Sequence, residues 1–146
     1  MRTHALATSA LLLAIFLLGA CSSAPKDAVV VPNTQPGDQL QAEYMVGQWC
    51  TNREETSQRN KDANFSALTN LSQQYWRLDD DGEWGMAGSG WYFNRHGSWR
   101  LEERDSLLLT RDGGDTVRYR AQFINDGGDM VLQAEDGDFL VMQRCD

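Results

Sequence analysis

From residue 73 onward the chain is cut at short intervals by clusters of Asp, Asn and Gly. They are Asp79-Asp80-Asp81-Gly82, Asn94-Arg95-His96-Gly97, Arg111-Asp112-Gly113-Gly114-Asp115, Asn125-Asp126-Gly127-Gly128 and Asp136-Gly137-Asp138. The segments between them are too short for ordinary helices, and Asp-Gly and Gly-Gly pairs supply the positive φ that tight hairpins need. The intervening runs read as strands over 73–78, 90–93, 98–102, 105–110, 116–123, 130–134 and 139–145. In the run 116–123, Val117, Tyr119, Ala121 and Phe123 share one face, and Arg118, Arg120 and Gln122 share the other. That is the period of two expected of a half-buried strand. With a first strand over 44–51, the count reaches about eight, and sequential hairpins make neighbours antiparallel. The fold class is therefore all-β, a small up-and-down antiparallel β-barrel of about eight strands, a closure that leaves no free edge. Residues 54–71 lack strand character. Phe65, Leu68 and Leu71 recur at intervals of three, which predicts a short helix after the first strand, from about residue 63 to 72.

The start of the chain has a different character. Arg2 and His4 precede an uncharged run over 5–20 that includes Leu11, Leu12, Leu13, Ile15, Phe16, Leu17 and Leu18. A basic start, an apolar middle and small residues at the end read as a secretory signal over 1–20. The run is also long enough to span a bilayer as a retained anchor. Leu18-Gly19-Ala20-Cys21, followed by Ser22 and Ser23, resembles the bacterial lipobox. That resemblance implies cleavage before Cys21 and acylation of Cys21 with diacylglyceryl and palmitate-type chains. Ser22 in place of Asp implies the outer membrane, on its periplasmic face. Several acyl chains anchor stably where one is marginal, so membrane lipid is the first expected partner.

Residues 21–43 are rich in Ala, Ser, Pro, Gln and Asp and contain all three prolines, Pro25, Pro32 and Pro36. Such a composition reads as a lipidated terminus followed by a flexible tether. Its apolar patch, Val29-Val30-Val31, is either plain spacer or a segment that pairs with a sheet edge. The folded domain is then 44–146. Because the lipobox resemblance assigns Cys21 to lipid, Cys50 and Cys145 remain for a disulfide in an oxidising compartment. It would join the first strand to the last; two free thiols or an intermolecular bridge are the alternatives.

Val46-Gly47-Gln48-Trp49 resembles the Gly-x-Trp signature of lipocalins and their small bacterial relatives. The resemblance implies that Trp49 packs across a closed barrel end and that Gly47 permits a close approach there. Gly97-Ser98-Trp99-Arg100-Leu101, with the following Leu107-Leu108-Leu109, is similar to a strand pair of the small bacterial members. The likeness covers 44–146. The chain departs from lipocalins proper in being shorter and in lacking a terminal helix, and it offers Arg144 as the one candidate for the basic residue that packs on the Trp. The family's transport function does not carry over.

Charge and motifs narrow the chemistry. Thirteen Lys and Arg against 21 Asp and Glu give a net charge of -8, which argues against nucleic acid. The acidic turns offer hard oxygens but no EF-hand alternation, so they serve turn geometry, and no metal or cofactor is expected. His96 reads as a turn residue beside Ser98 and Asp105, without the oriented carboxylate or oxyanion donors of a hydrolase. Glu102 and Glu103 point to opposite faces of a strand. No enzyme is expected. Among the aromatics, Trp49, Trp76 and Trp99 read as core, whereas Trp84, Met86, Trp91 and Tyr92 bracket the small-residue stretch 87–90 and read as a ligand or partner surface. Arg118 and Arg120 face water if Val117 and Tyr119 line the interior; reversed, they would meet an anionic head group inside. The sequence thus points to a non-catalytic envelope lipoprotein whose periplasmic barrel binds a protein partner, in an assembly, structural or inhibitory role. The alternative is carriage of a small apolar ligand.

Overall fold

The computed structural model describes residues 29–61, 73–88 and 93–145. Eight strands succeed one another around a closed barrel: β1 (Gly47–Thr51), β2 (Tyr75–Leu78), β3 (Glu83–Ala87), β4 (Phe93–Glu102), β5 (Ser106–Arg111), β6 (Thr116–Ile124), β7 (Asp129–Ala134) and β8 (Phe139–Arg144). Each pairs antiparallel with the next, and β8 returns to β1 through Trp49 opposite Arg144 and Thr51 opposite Met142. The all-β up-and-down barrel expected from the turn spacing is the fold. Two short helices accompany it among the described residues, α1 (Ala42–Met45) and α2 (Arg53–Arg59). The helix expected over 63–72 lies outside the described residues, as do the signal segment 1–20 and Cys21.

Two strand expectations are corrected. Asn94 to Gly97 is not a turn: the runs 90–93 and 98–102 were read apart, yet β4 continues unbroken from Phe93 to Glu102. The additional strand is β3, in a stretch to which no strand was assigned. Pairing explains both, because β3 runs beside β4 from Phe93 to Ser98 and β5 pairs with it from Gly97 to Glu102, and this cross-strand pairing overrides local turn preference. Gly97 serves close approach, since a Cβ there would run into the backbone of Thr110 and Arg111 on β5.

Inward-facing side chains fill the barrel. Met45, Trp49, Leu78, Leu107, Phe123, Met130, Leu132 and Met142 are fully enclosed, and Trp76, Trp84, Trp99 and Leu109 join them. Tyr119, Ala121 and Phe123 take the inner side of β6, so Arg118 and Arg120 lie on the exposed outer side. The question of which way those arginines face is settled by this register.

Short strands leave unpaired ladder groups, and neighbouring segments satisfy them. β1 covers β8 only as far as Met142. Beyond it, α2 takes over through Asn52, Thr56 and Asn60, spaced by four so that they share one helix face. The Asn52 N–H donates to Val141 O (2.8 Å), the Val141 N–H donates to Thr56 Oγ1 (2.9 Å), and Asn60 bonds both the N–H and the carbonyl of Phe139 (2.9 and 2.8 Å). Similarly, β5 covers β6 only from Thr116 to Arg120. The end of β6 is met by the segment before α1: Thr34 N–H donates to Phe123 O, Phe123 N–H donates to Thr34 Oγ1 (2.8 Å each), and Gln122 donates to Thr34 O (2.9 Å).

That segment was expected to be part of a flexible tether over 21–43. Over 31–41 it is instead laid along the barrel. Val31 and Leu40 are buried with the core, Gly37 N–H donates to Asp105 (2.7 Å), and Leu40 N–H donates to Arg104 O (2.8 Å). Backbone hydrogen bonds anchor it, which is why its sparse apolar content did not announce a docked segment. Val29 and Val30 are exposed. Cys50 on β1 and Cys145 just past β8 meet at disulfide distance, with Cα atoms 5.5 Å apart.

Candidate functional site

Chain direction sorts the turns to two ends. The β2–β3, β4–β5 and β6–β7 turns crowd one end with Gly47 and Arg144. The β5–β6 and β7–β8 turns ring the other.

At the first end, α1 finishes with carbonyls that no helical N–H can reach. Trp49 Nε1 donates to Met45 O (2.8 Å), and Arg144 donates through its two terminal nitrogens to Val46 O (2.6 Å) and Tyr44 O (2.8 Å). The Arg144 guanidinium lies 3.9 Å over the Trp49 ring, a cation–π stack. Burial pulls its pKa below the usual arginine range. Gly47 sits at φ +138°, and a Cβ there would collide with the Arg144 guanidinium. Phe123 closes the layer, 6.0 Å from Trp49 and 6.1 Å from Tyr44 between ring centres. This end is shut.

At the second end a recess of about 120 Å³ remains, between Trp76, Trp84, Met86, Arg95, Arg111 and Tyr119. Trp84 packs edge-on against Trp76 at 6.2 Å, and Tyr119 lies 6.0 Å from Trp76. Burial pushes the Tyr119 hydroxyl pKa up, opposed by the nearby Arg111 charge. Two buried donors here, Trp84 Nε1 and Arg111 Nε, have no acceptor.

Trp84 is therefore corrected from rim to interior: it is 3% exposed and belongs to the core. The register of β3 causes this, because Leu78, opposite Trp84 on β2, also points inward. Met86 is half-buried against the core, and Trp91 and Tyr92 lie outside the described residues. Trp99 is buried and donates its Nε1 to Asp79 O (2.9 Å), tying β4 to the β2–β3 turn. Sequence reasoning passed over Arg95, Arg111 and Tyr119 as recess residues. Arg111 stands at a strand end before a turn, a position with no distinguishing signal.

Other candidate chemistries are occupied by structural tasks. Asp79, Asp81 and Glu83 come close enough to share an ion. Asp79 is engaged by Arg77 Nε (2.7 Å), and Asp81 accepts the Glu83 N–H (2.9 Å), so the cluster shapes its own turn. His96 lies exposed on β4, opposite Gly85, rather than in a turn. Asp105 is beyond the far end of that strand, about 20 Å along it at the usual rise, and binds Gly37. On the outer face Glu102 is gripped by Arg100 (2.6 Å) and Arg118 (2.8 Å). The Arg100 hydrogen bond first, then the charges of both arginines, hold its carboxyl below the usual range.

No protein-family model matches this chain, and no curated protein matches it.

Proposed function

We propose that this chain is a lipid-anchored, non-catalytic protein of the bacterial envelope whose barrel binds a protein partner through its outer surface. The filled interior carries this reading. Met45, Trp49, Leu107, Phe123, Met130, Leu132 and Met142 fill the described interior, where the recess beside Trp84 and Arg111 measures about 120 Å³. Sites for small molecules usually start near ~300 Å³. Carriage of a lipid-sized apolar ligand thus ranks second, and binding falls to the outside of the strands.

Two further observations support the setting. The Trp49–Arg144 stack across the shut end, with Gly47 beneath it, is the arrangement that the Gly-x-Trp resemblance to small lipocalin-like proteins implies. The lipobox at Leu18-Gly19-Ala20-Cys21 favours acylation of Cys21 and placement on the periplasmic face of the outer membrane.

The test is photo-crosslinking in intact envelopes from full-length protein carrying the crosslinker at Arg118, Arg120 or Gln122 on outer β6. A discrete protein adduct is expected, together with its loss when Cys21→Ser releases the chain from the membrane. Absence of any adduct, alongside a stoichiometric apolar molecule in native mass spectrometry, would overturn the reading in favour of carriage.

A further inference from the structure

Four buried tryptophans belong to the described barrel, and three have their indole N–H satisfied: Trp49 by Met45 O (2.8 Å), Trp76 by Gln74 Oε1 (3.1 Å) and Trp99 by Asp79 O (2.9 Å). Trp84, 3% exposed, has no acceptor. Arg111 Nε, in the same recess, is likewise buried without one. Native interiors rarely strand a donor, and two at one place mark a site that expects an acceptor from elsewhere.

The surrounding charge says what kind. Arg95 and Arg111 both line the recess, and neither has a carboxylate within ion-pair distance among the described residues. Of the remaining wall, Trp76, Met86, Leu109 and Val117 are apolar, and Gln74 and Tyr119 add an amide and a hydroxyl. Donors and positive charge facing apolar surface match a ligand that accepts only, carries negative charge and has a short hydrocarbon body. The guanidinium fork matches the two oxygens of a carboxylate. The volume limits the body: an apolar cavity of about 150 Å³ holds benzene, so about 120 Å³ admits a carboxylate and a few carbons. Tyr119, kept protonated by its burial, presents no charge against such an anion.

We propose that this recess binds a small monocarboxylate, its oxygens received by the Arg111 guanidinium and by Trp84 Nε1 as these enclosed groups turn toward it, Arg95 lending charge at the entrance, and its hydrocarbon against Trp76 and Met86. The site lies inside the barrel and is independent of a protein partner on the outer strands.

The experiment titrates butyrate and propionate into ¹⁵N-labelled full-length protein in detergent micelles and follows the indole N–H resonances, Trp84 being assigned by its loss in Trp84→Phe. A saturable shift of the Trp84 resonance is expected, with butyramide producing none and inorganic phosphate binding more weakly than either carboxylate. Arg111→Gln weakens butyrate about tenfold or more, as loss of a charged hydrogen bond requires. The proposal is overturned if no saturable shift occurs by about 10 mM, a weakness that leaves no specific site. It is equally overturned if butyramide or phosphate matches butyrate, or if Arg111→Gln binds unchanged. Should Arg111→Gln fail to fold, the contrast between butyrate and butyramide on the unsubstituted chain decides.

Discussion

Gly47→Ala tests the shut end most sharply, because it attacks Arg144 without touching it. A Cβ at position 47 overlaps a terminal nitrogen of Arg144 and forces the guanidinium aside, and the residue must also hold φ +138°. The backbone strain alone costs about 1–2 kcal/mol for a non-glycine residue. Displacing Arg144 removes two charged hydrogen bonds, to Val46 O and Tyr44 O, and its stack over Trp49. The site is half-buried, so water recovers part of the loss, leaving about 3 kcal/mol for the three contacts together. Gly47→Ala should then cost about 4–5 kcal/mol and Arg144→Ala about 3 kcal/mol. The double variant should cost about 4–5 kcal/mol, not the sum, since no guanidinium remains to be displaced. Equilibrium unfolding in urea, followed by Trp fluorescence, measures all four corners of the cycle. Additivity within about 0.5 kcal/mol would refute the argument, because it would mean that Gly47 and Arg144 do not share space. Arg144→Lys, which keeps charge without the fork, should recover less than half the loss.

Replacing Cys50 and Cys145 together by Ser should lower stability by about 4–5 kcal/mol for a closed loop of this size, read by chemical unfolding; a loss under about 1 kcal/mol would rule out the expected staple. Tyr119 has its folded pKa raised by burial, so its contribution is intact below the unfolded value of about 10 and is lost as pH rises through the folded value. Unfolding curves across that alkaline window should steepen for the native chain and flatten for Tyr119→Phe. Glu102 titrates below the usual carboxylate range, and an NMR titration should move upward more in Arg100→Ala than in Arg118→Ala, because the Arg100 hydrogen bond is the larger cause.

The legible part of the fold was the part set by local chemistry. Asp-Gly and Asn-Asp-Gly turns marked four of the hairpins, and the alternation from Val117 to Phe123 separated the two faces of β6 without saying which was inner. What escaped was decided by partners distant in sequence. Glu83–Ala87 has no β-branched residue and contains a glycine, so it signals no strand; pairing with β2 and β4 makes it β3. Asn94 to Gly97 has turn composition, yet pairing with β3, joined by β5 at Gly97, holds it extended. The same register turned Trp84 from a presumed rim residue into core, and it brought Arg95 and Arg111, separated along the chain, to one recess. The stripe Asn52, Thr56, Asn60 was likewise invisible, because its purpose depends on β1 stopping before β8 does.

The docking of Val31 beside Gly127 sets a leash. With Cys21 as the lipid anchor, only nine residues, 22–30, separate the membrane from a fixed point on the barrel. Fully extended, they reach about 30 Å, barely the diameter of the domain itself. Under the proposed acylation of Cys21, the barrel would patrol a thin layer above its bilayer and meet only what comes to that surface. The fixed point also lies at the shut end, beside Val46 and Arg144. An acyl anchor at Cys21 would therefore pull the shut end toward the lipid and leave the end with Trp84 and Arg111 turned outward.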